Sequence, residues 1–82
     1  MVSEEKLRWL CRRGSLELDK MLNLYLEHAY LKAGYDEQQL FQALLNFSDA
    51  ELLRFLVDGQ VPEAKGMDAL VKKIRSLSAA GT

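Results

Sequence analysis

The chain has 82 residues, 49% of them hydrophobic and 28% charged, which is typical of one folded domain with a small core and argues against a disordered chain. Its formal net charge of -1 lacks the basic excess that supplies most of the affinity of nucleic-acid-binding proteins. No apolar run approaches the length of a membrane span, so we expect no membrane insertion.

Cysteine usage and the N-terminal charges indicate the compartment. Cys11 is the only cysteine, so no internal disulfide can form, which is typical of an intracellular protein. Glu4 and Glu5 stand where a secretory signal would carry positive charge. We therefore expect a cytoplasmic protein.

The first predicted helix begins after Ser3, whose hydroxyl can cap a helix N-terminus. Its apolar residues recur at helical spacing: Leu7, Leu10 and Cys11. The helix is expected to end at Arg12 and Arg13, with Gly14 in the left-handed conformation that follows a last turn.

The second predicted helix begins after the N-cap Ser15 and runs to about Leu31. An apolar stripe follows one face: Leu18, Met21, Leu22, Tyr25 and Ala29. Leu24 and Leu31 lie outside that stripe, on a flank shared with Glu17 and His28. A helix that is apolar around so much of its circumference is expected at the centre of a bundle or partly beneath a partner.

Two consecutive capping-box patterns, at residues 36–39 and 48–51, predict the third and fourth helices. The apolar positions of the third helix are Leu40, Ala43, Leu44 and Phe47, and those of the fourth are Leu52, Leu53, Leu56 and Val57. The fourth helix should end near Gly59, before a loop marked by Pro62 and Gly66.

The fifth predicted helix carries a last apolar stripe: Met67, Leu70, Val71, Ile74 and Leu77. Lys72, Lys73 and Arg75 are placed near its negative end, and residues 78–82 are expected to fray. Five short helices joined by short loops predict an all-α fold, a small five-helix bundle that forms one domain over residues 1–82.

Few residues could carry chemistry. One cysteine and one histidine cannot provide the three or four clustered ligands of a metal site, and there is no phosphate-binding glycine run and no Ser-His-Asp set. His28 is interpreted as a boundary residue and Cys11 as a core filler, although Arg12 and Arg13 could lower the pKa of its thiol. The pattern therefore disfavours a self-sufficient enzyme.

A helix-turn-helix is also disfavoured, although the third and fourth predicted helices are tightly joined. The second of these helices would enter the DNA groove. It carries three acidic residues, Asp49, Glu51 and Asp58, and only one basic residue, Arg54. These acids would face the phosphates, so we expect no nucleic-acid partner.

The stretch C-R-R-G-S-L-E-L-D at residues 11–19 allows two interpretations. Each residue suits the end of one helix or the start of the next, so the stretch can be read as an ordinary connection between two helices. Alternatively, Gly14 lets a foreign backbone or cofactor approach closely, between the opposite charges of Arg13 and Glu17. The residues alone favour the helix connection and leave the docking interpretation open.

In its context, this stretch resembles a known family. W-L-C-R-R-G-S-L-E-L-D at residues 9–19 is similar to the R-G-x-x-E signature of the SdhE (YgfY) family, small bacterial flavinylation factors for succinate dehydrogenase. The resemblance continues through Y-L-E-H-A-Y at 25–30, Y-D-E at 35–37 and L-L-N-F-S-D-A-E-L-L-R-F-L at 44–56. It covers nearly the whole chain apart from the tail.

The resemblance implies a five-helix bundle that binds the flavoprotein subunit of succinate dehydrogenase or fumarate reductase. Such a protein promotes covalent attachment of FAD to a histidine of that subunit, as a non-catalytic assembly factor with no stably bound cofactor. We expect it to be a monomer when free. The rival interpretations are an interaction module of the same family acting as an antitoxin-like regulator of another client, and a carrier that itself holds FAD. The missing phosphate loop and the small size of the bundle count against the carrier.

The resemblance also implies a set of partner-binding residues. The signature falls on Arg13, Gly14 and Glu17, with Arg12 and Asp19 beside it. On this interpretation Gly14 permits close contact and Arg13 donates towards the client or its cofactor region. Glu17 pairs with a client cation or orients Arg13. The flank of the second helix that contains Leu24, His28 and Leu31 would widen the interface.

Overall fold

The residues that the structure describes form five α-helices and one 3₁₀ turn. A computed structural model of the chain describes residues 4–63 and 65–80. The elements are α1 (Glu4–Leu10), α2 (Leu16–His28), a 3₁₀ turn (Tyr30–Lys32), α3 (Tyr35–Leu44), α4 (Asp49–Leu56) and α5 (Met67–Ala80). These described segments contain no strand, and the predicted all-α five-helix fold is confirmed.

Helix α2 is the centre of the bundle. It packs against α1, α4 and α5, and every member of its predicted apolar stripe is buried. On the flank outside the stripe, Leu24 is half-buried and Leu31 is exposed. The helix is therefore central because three neighbours cover its broad apolar surface.

An aromatic cluster joins α2, the 3₁₀ turn and α3, and a polar contact of Tyr25 connects it to α5. The Tyr25 and Phe41 ring centroids are 4.5 Å apart, and Tyr30 packs against both rings. The buried Tyr25 donates its hydroxyl hydrogen to Glu37 Oε2 at 2.6 Å, and Lys73 Nζ lies 2.9 Å from the same oxygen. The one polar atom of this large buried side chain is thus paired, as burial requires.

The end of α1 differs from the prediction. The helix ends at Leu10, and the amides of Cys11 and Arg12 close it by donating to the carbonyls of Leu7 and Trp9. Gly14 lies beyond this closure and does not have a positive φ, so its predicted left-handed conformation is wrong. Ser3, the predicted N-cap, lies outside the described residues.

The boundaries of α2 and α3 also move. Ser15 caps α2 as predicted, but the α-helix ends at His28 and the chain continues into the 3₁₀ turn. The capping box at residues 36–39 is wrong, because α3 begins earlier with Gly34 as its N-cap. The first helical bond runs from the Gln38 amide to the Gly34 carbonyl at 3.0 Å, and the Gln38 side chain donates to the Tyr30 carbonyl at 2.8 Å.

The second capping box is confirmed. Ser48 Oγ accepts from the Glu51 amide at 3.2 Å, and Glu51 Oε1 accepts from the Ser48 amide at 3.3 Å. At the other end of α4, Gly59 has a φ of 81°, and the Gln60 amide donates to the Arg54 carbonyl. This is the left-handed helix ending that the sequence analysis assigned to Gly14.

Helix α5 is longer than predicted. It continues to Ala80 and includes part of the segment expected to fray, while residues 81 and 82 lie outside the described part. Lys72, Lys73 and Arg75 therefore stand in the middle of α5 rather than in its last turn, which contains no basic residue. They are too far from the C-terminus to gain much from the helix dipole.

Candidate functional site

The stretch that connects α1 to α2, together with the first turn of α2, forms an exposed corner of the bundle. We call residues 12–19 the corner. It is fixed at both sides, because the buried side chains of Cys11 and Leu18 lie in the core. Ser15 Oγ accepts from the Leu18 amide at 3.4 Å and starts α2. The residues between these anchors are therefore held in place although they lie at the surface.

The side chain of Arg13 turns into the protein rather than towards solvent. Its Nη2 donates to the Leu45 carbonyl and its Nη1 donates to the Phe47 carbonyl at 3.3 Å. Nη1 also lies 3.4 Å from Asp49 Oδ1, and only 15% of the side chain is exposed. These carbonyls follow the C-terminus of α3, where backbone acceptors lack helical partners and a positive charge is favourable. Arg13 is thus an internal connection between the corner and the α3–α4 turn.

Two carboxylates hold the backbone of the corner. The Arg13 amide donates to Asp19 Oδ1 in α2, and the Gly14 amide donates to Asp49 Oδ2 in α4 at 3.1 Å. Hydrogen bonds of this charge-assisted kind are stronger than neutral ones. Consecutive amides are therefore tied to two different helices, and the orientation of the peptide between them is set.

Gly14 is exposed, and nothing described within the chain requires glycine there. Its φ is not positive, and the nearest atom to an added Cβ would be Asp49 Oδ2 at 3.4 Å, an ordinary contact distance. Gly59 differs, because its left-handed backbone does require glycine. The bare backbone at Gly14 is therefore an open surface that an approaching group can reach closely.

The predicted partner-binding residues of the corner divide into two sets. The structure brings Arg13, Gly14 and Asp19 together, as described above. Arg12 and Glu17 are exposed beside them, and their side chains form no hydrogen bond or ion pair with the described residues. Arg13 is held by the α3–α4 turn and Asp49 rather than by Glu17.

His28 does not join the corner. It is exposed in the last turn of α2, eleven residues after Glu17, or about 16 Å along the helix axis. An interface that includes both residues would have to extend along α2.

Sequence reasoning missed three residues near this site. Asp49 was considered only as an acid that disfavours DNA binding by the fourth helix. The only feature of the neighbouring sequence that singles it out is its place in the first turn of α4. Trp9 precedes the corner and Leu16 lies within it, and their side chains are 70% and 87% exposed. Exposed large apolar residues are common at protein interfaces.

Cys11 is a core residue with a suppressed thiolate. It is fully buried, and burial raises the pKa of its thiol to about 12. The positive charges of Arg13 and Arg8 act in the opposite direction but are outweighed. Arg13 thus acts on the thiol pKa in the expected direction, but burial dominates, and the core-filler interpretation accounts for the residue.

Metal-ligand clusters and membrane-spanning helices are absent from the residues that the structure describes. Among them, no cluster of three or more His, Cys, Asp or Glu side chains could hold a metal ion. No helix in the same residues is both long and apolar enough to cross a membrane. An open groove of about 420 Å³ runs beside α4, and none of the corner residues lines it.

Comparison with known proteins places these features in context. Residues 5–78, which include the corner, match a family model described as the flavinator of succinate dehydrogenase. The chain is 43% identical over 77 residues to the FAD assembly factor SdhE of Methylococcus capsulatus, covering 94% of this chain and 93% of that protein. It is 34% identical to the FAD assembly factor SdhE of Coxiella burnetii, with 94% of each chain covered. The protein of the same name from Haemophilus ducreyi is 32% identical, with 87% of each chain covered.

Proposed function

The chain belongs to the family of succinate dehydrogenase flavinators, and from this membership we propose that it is an assembly factor for covalent flavin. It binds the flavoprotein subunit of succinate dehydrogenase and promotes attachment of FAD to a histidine of that subunit. The flavoprotein subunit of fumarate reductase is a second client of the same chemistry. The free protein is a cytoplasmic monomer.

The exposed backbone at Gly14 is the observation that supports docking at the corner. Its φ is not positive and an added Cβ would have space, so its own fold does not explain the glycine. A client that packs against the bare Cα does explain it, because any side chain would hold that client away. The corner is also rigidly tied to α2 and α4, so docking need not order a loose loop.

The two arginines have different roles in this proposal. Arg12 is exposed and can donate to the client, whereas Arg13 supports the corner from inside. Glu17 is exposed and pairs with a client cation. His28 contributes only where the interface extends along α2.

The mechanism requires no catalytic residue and no stably bound cofactor in this chain. Joining the flavin methyl carbon to an imidazole needs close alignment, and negative charge develops on the flavin ring as the methyl group loses a proton. The client holds both reactants. The assembly factor binds the client conformation in which they are aligned more tightly than the others, and so shifts the population towards it.

The test is flavinylation of the client in cells that co-express this chain. Gly14→Val and Glu17→Ala are expected to reduce covalent flavin, measured by in-gel fluorescence of the flavoprotein subunit. Gly34→Val is the control for a side chain added at an exposed glycine, because an added Cβ there would meet no atom within 4 Å. Since Gly34 also caps α3, the folding of this variant is verified by circular dichroism.

Two results would contradict the proposal at different levels. Full flavinylation with folded Gly14→Val and Glu17→Ala would remove the corner from the interface but leave the function intact. No gain in covalent flavin from the wild-type chain would reject the function itself. In that case an interaction module with another client becomes the better interpretation.

A further inference from the structure

We propose that Asp49 is a positioning residue of the docking corner, an inference that rests on the function proposed above. Asp49 lies at the start of α4, 35 residues after Gly14 and outside the R-G-x-x-E stretch. Its part is to hold the Gly14 backbone in the orientation that the client meets.

One carboxylate joins the backbone of Gly14 to the side chain of Arg13. Asp49 Oδ2 accepts from the Gly14 amide at 3.1 Å, while Oδ1 lies 3.4 Å from Arg13 Nη1. The same guanidinium donates to the carbonyls of Leu45 and Phe47, just before α4. Asp49 thus completes a closed ring of contacts between the corner and the α3–α4 turn.

These contacts determine which backbone groups of the corner a client can reach. The amides of Arg13 and Gly14 are both bonded to carboxylates within the chain, so neither is free to donate to a client. Since no contact among the described residues uses the Gly14 carbonyl, that group and the Cα are what the glycine offers. Without Asp49 the peptide could rotate, and docking would have to order it.

Asp68 provides a matched control. It is an acid in the first turn of α5, as Asp49 is in α4, and both side chains are partly buried. Replacing either removes a favourable acid from a helix N-terminus, but only Asp49 contacts the corner. A difference in client affinity between the two variants therefore reflects the contacts of Asp49 with the corner, and not the loss of an acid from a helix N-terminus.

The first measurement is affinity for the flavoprotein subunit of succinate dehydrogenase that lacks covalent FAD. Asp49→Ala is expected to bind about tenfold more weakly. This is the loss expected when roughly one charge-assisted hydrogen bond that orders the site is removed. Asp68→Ala should bind like the wild type. Amide hydrogen exchange should show Gly14 losing protection in Asp49→Ala alone. If Asp49→Ala does not fold, Asp49→Asn keeps one acceptor oxygen and should show the same changes to a smaller degree.

A double-mutant cycle separates positioning from a general loss of stability. If Asp49 acts through Gly14, then Asp49→Ala should cost no further affinity once Gly14→Val is present. Additive losses, or wild-type affinity in folded Asp49→Ala, would overturn the positioning role while leaving the proposed function standing. A wild-type chain that does not bind the subunit would reject the proposed function and this inference with it.

Discussion

Arg13 donates from Nη2 to the backbone carbonyl of Leu45, 32 residues further along the chain. The contact connects the corner between α1 and α2 to the turn between α3 and α4. The arginine of the R-G-x-x-E stretch is therefore part of the fold as well as a neighbour of the proposed docking surface.

Replacing Arg13 should destabilise the fold, whereas replacing Arg12 should not. Arg13→Ala removes the donors of two carbonyls and the partner of Asp49, and we expect a loss of about 2 kcal/mol in the free energy of unfolding. Arg13→Lys should recover only part of it, because a single ammonium cannot reproduce the planar fork. Arg12→Ala should stay within about 0.5 kcal/mol, since its side chain is exposed. Urea denaturation measures all three, and equal losses for the two alanine variants would contradict the inward placement of Arg13.

Two glycine-to-alanine variants should have opposite effects on stability. Gly14→Ala needs no strained backbone, so we expect stability to be unchanged or to rise by about 0.5 kcal/mol through lower entropy of the unfolded chain. Gly59→Ala places a Cβ on a backbone with a φ of 81° and 3.3 Å from Arg75 Nη2, and should lose about 1 kcal/mol or more. Thermal or urea unfolding distinguishes them. A large loss in Gly14→Ala would mean that the fold itself requires that glycine.

The Glu37 carboxylate should make stability fall in acid. The hydrogen bond from Tyr25, and next that from Lys73, hold the pKa of Glu37 below its ordinary value of 4.5. Because the pKa is lower in the folded state, this contribution is present above pH 4.5 and is lost as the pH falls through the folded pKa. Glu37→Gln should therefore be less stable than the wild type at pH 7, and the difference should disappear in acid.

Tyr25→Phe tests the cause of that pH dependence. It removes the largest influence on the Glu37 pKa while keeping the aromatic ring, so the fall in stability below pH 4.5 should become shallower. The measurement is the free energy of unfolding in urea at a series of pH values. Parallel pH profiles for the wild type and Glu37→Gln would show that Glu37 does not contribute.

Cys11 should be inert in the native protein and reactive once the chain unfolds. Burial excludes a thiol reagent, and it also raises the thiol pKa to about 12, which leaves little thiolate at pH 8. Labelling with a chromogenic disulfide at pH 8 should be more than about a hundredfold slower in buffer than in concentrated urea. Rapid native labelling would contradict the burial of Cys11.

Features that depend on neighbours in the sequence were predictable. The stripe from Leu18 to Ala29 follows the period of the helix, so its burial could be expected before the neighbours of α2 were known. The capping box of Ser48 and Glu51 joins residues three apart and was predicted correctly for the same reason. The capping box at Asp36 failed because α3 begins at Tyr35 with Gly34 as its N-cap, and the Gln38 side chain donates instead to the Tyr30 carbonyl, outside the four-residue pattern.

By itself, the sequence determined the helical class, the central place of α2 and the stretch that resembles the flavinator signature, because these depend on composition, period and order along the chain. Only the tertiary structure decided how that stretch is held in the fold. Arg13 turns inward, Gly14 keeps an ordinary φ and Asp49 holds both, because their partners lie 32 to 36 residues away. Contacts at such separation arise when helices pack, and a pattern of neighbouring residues does not contain them.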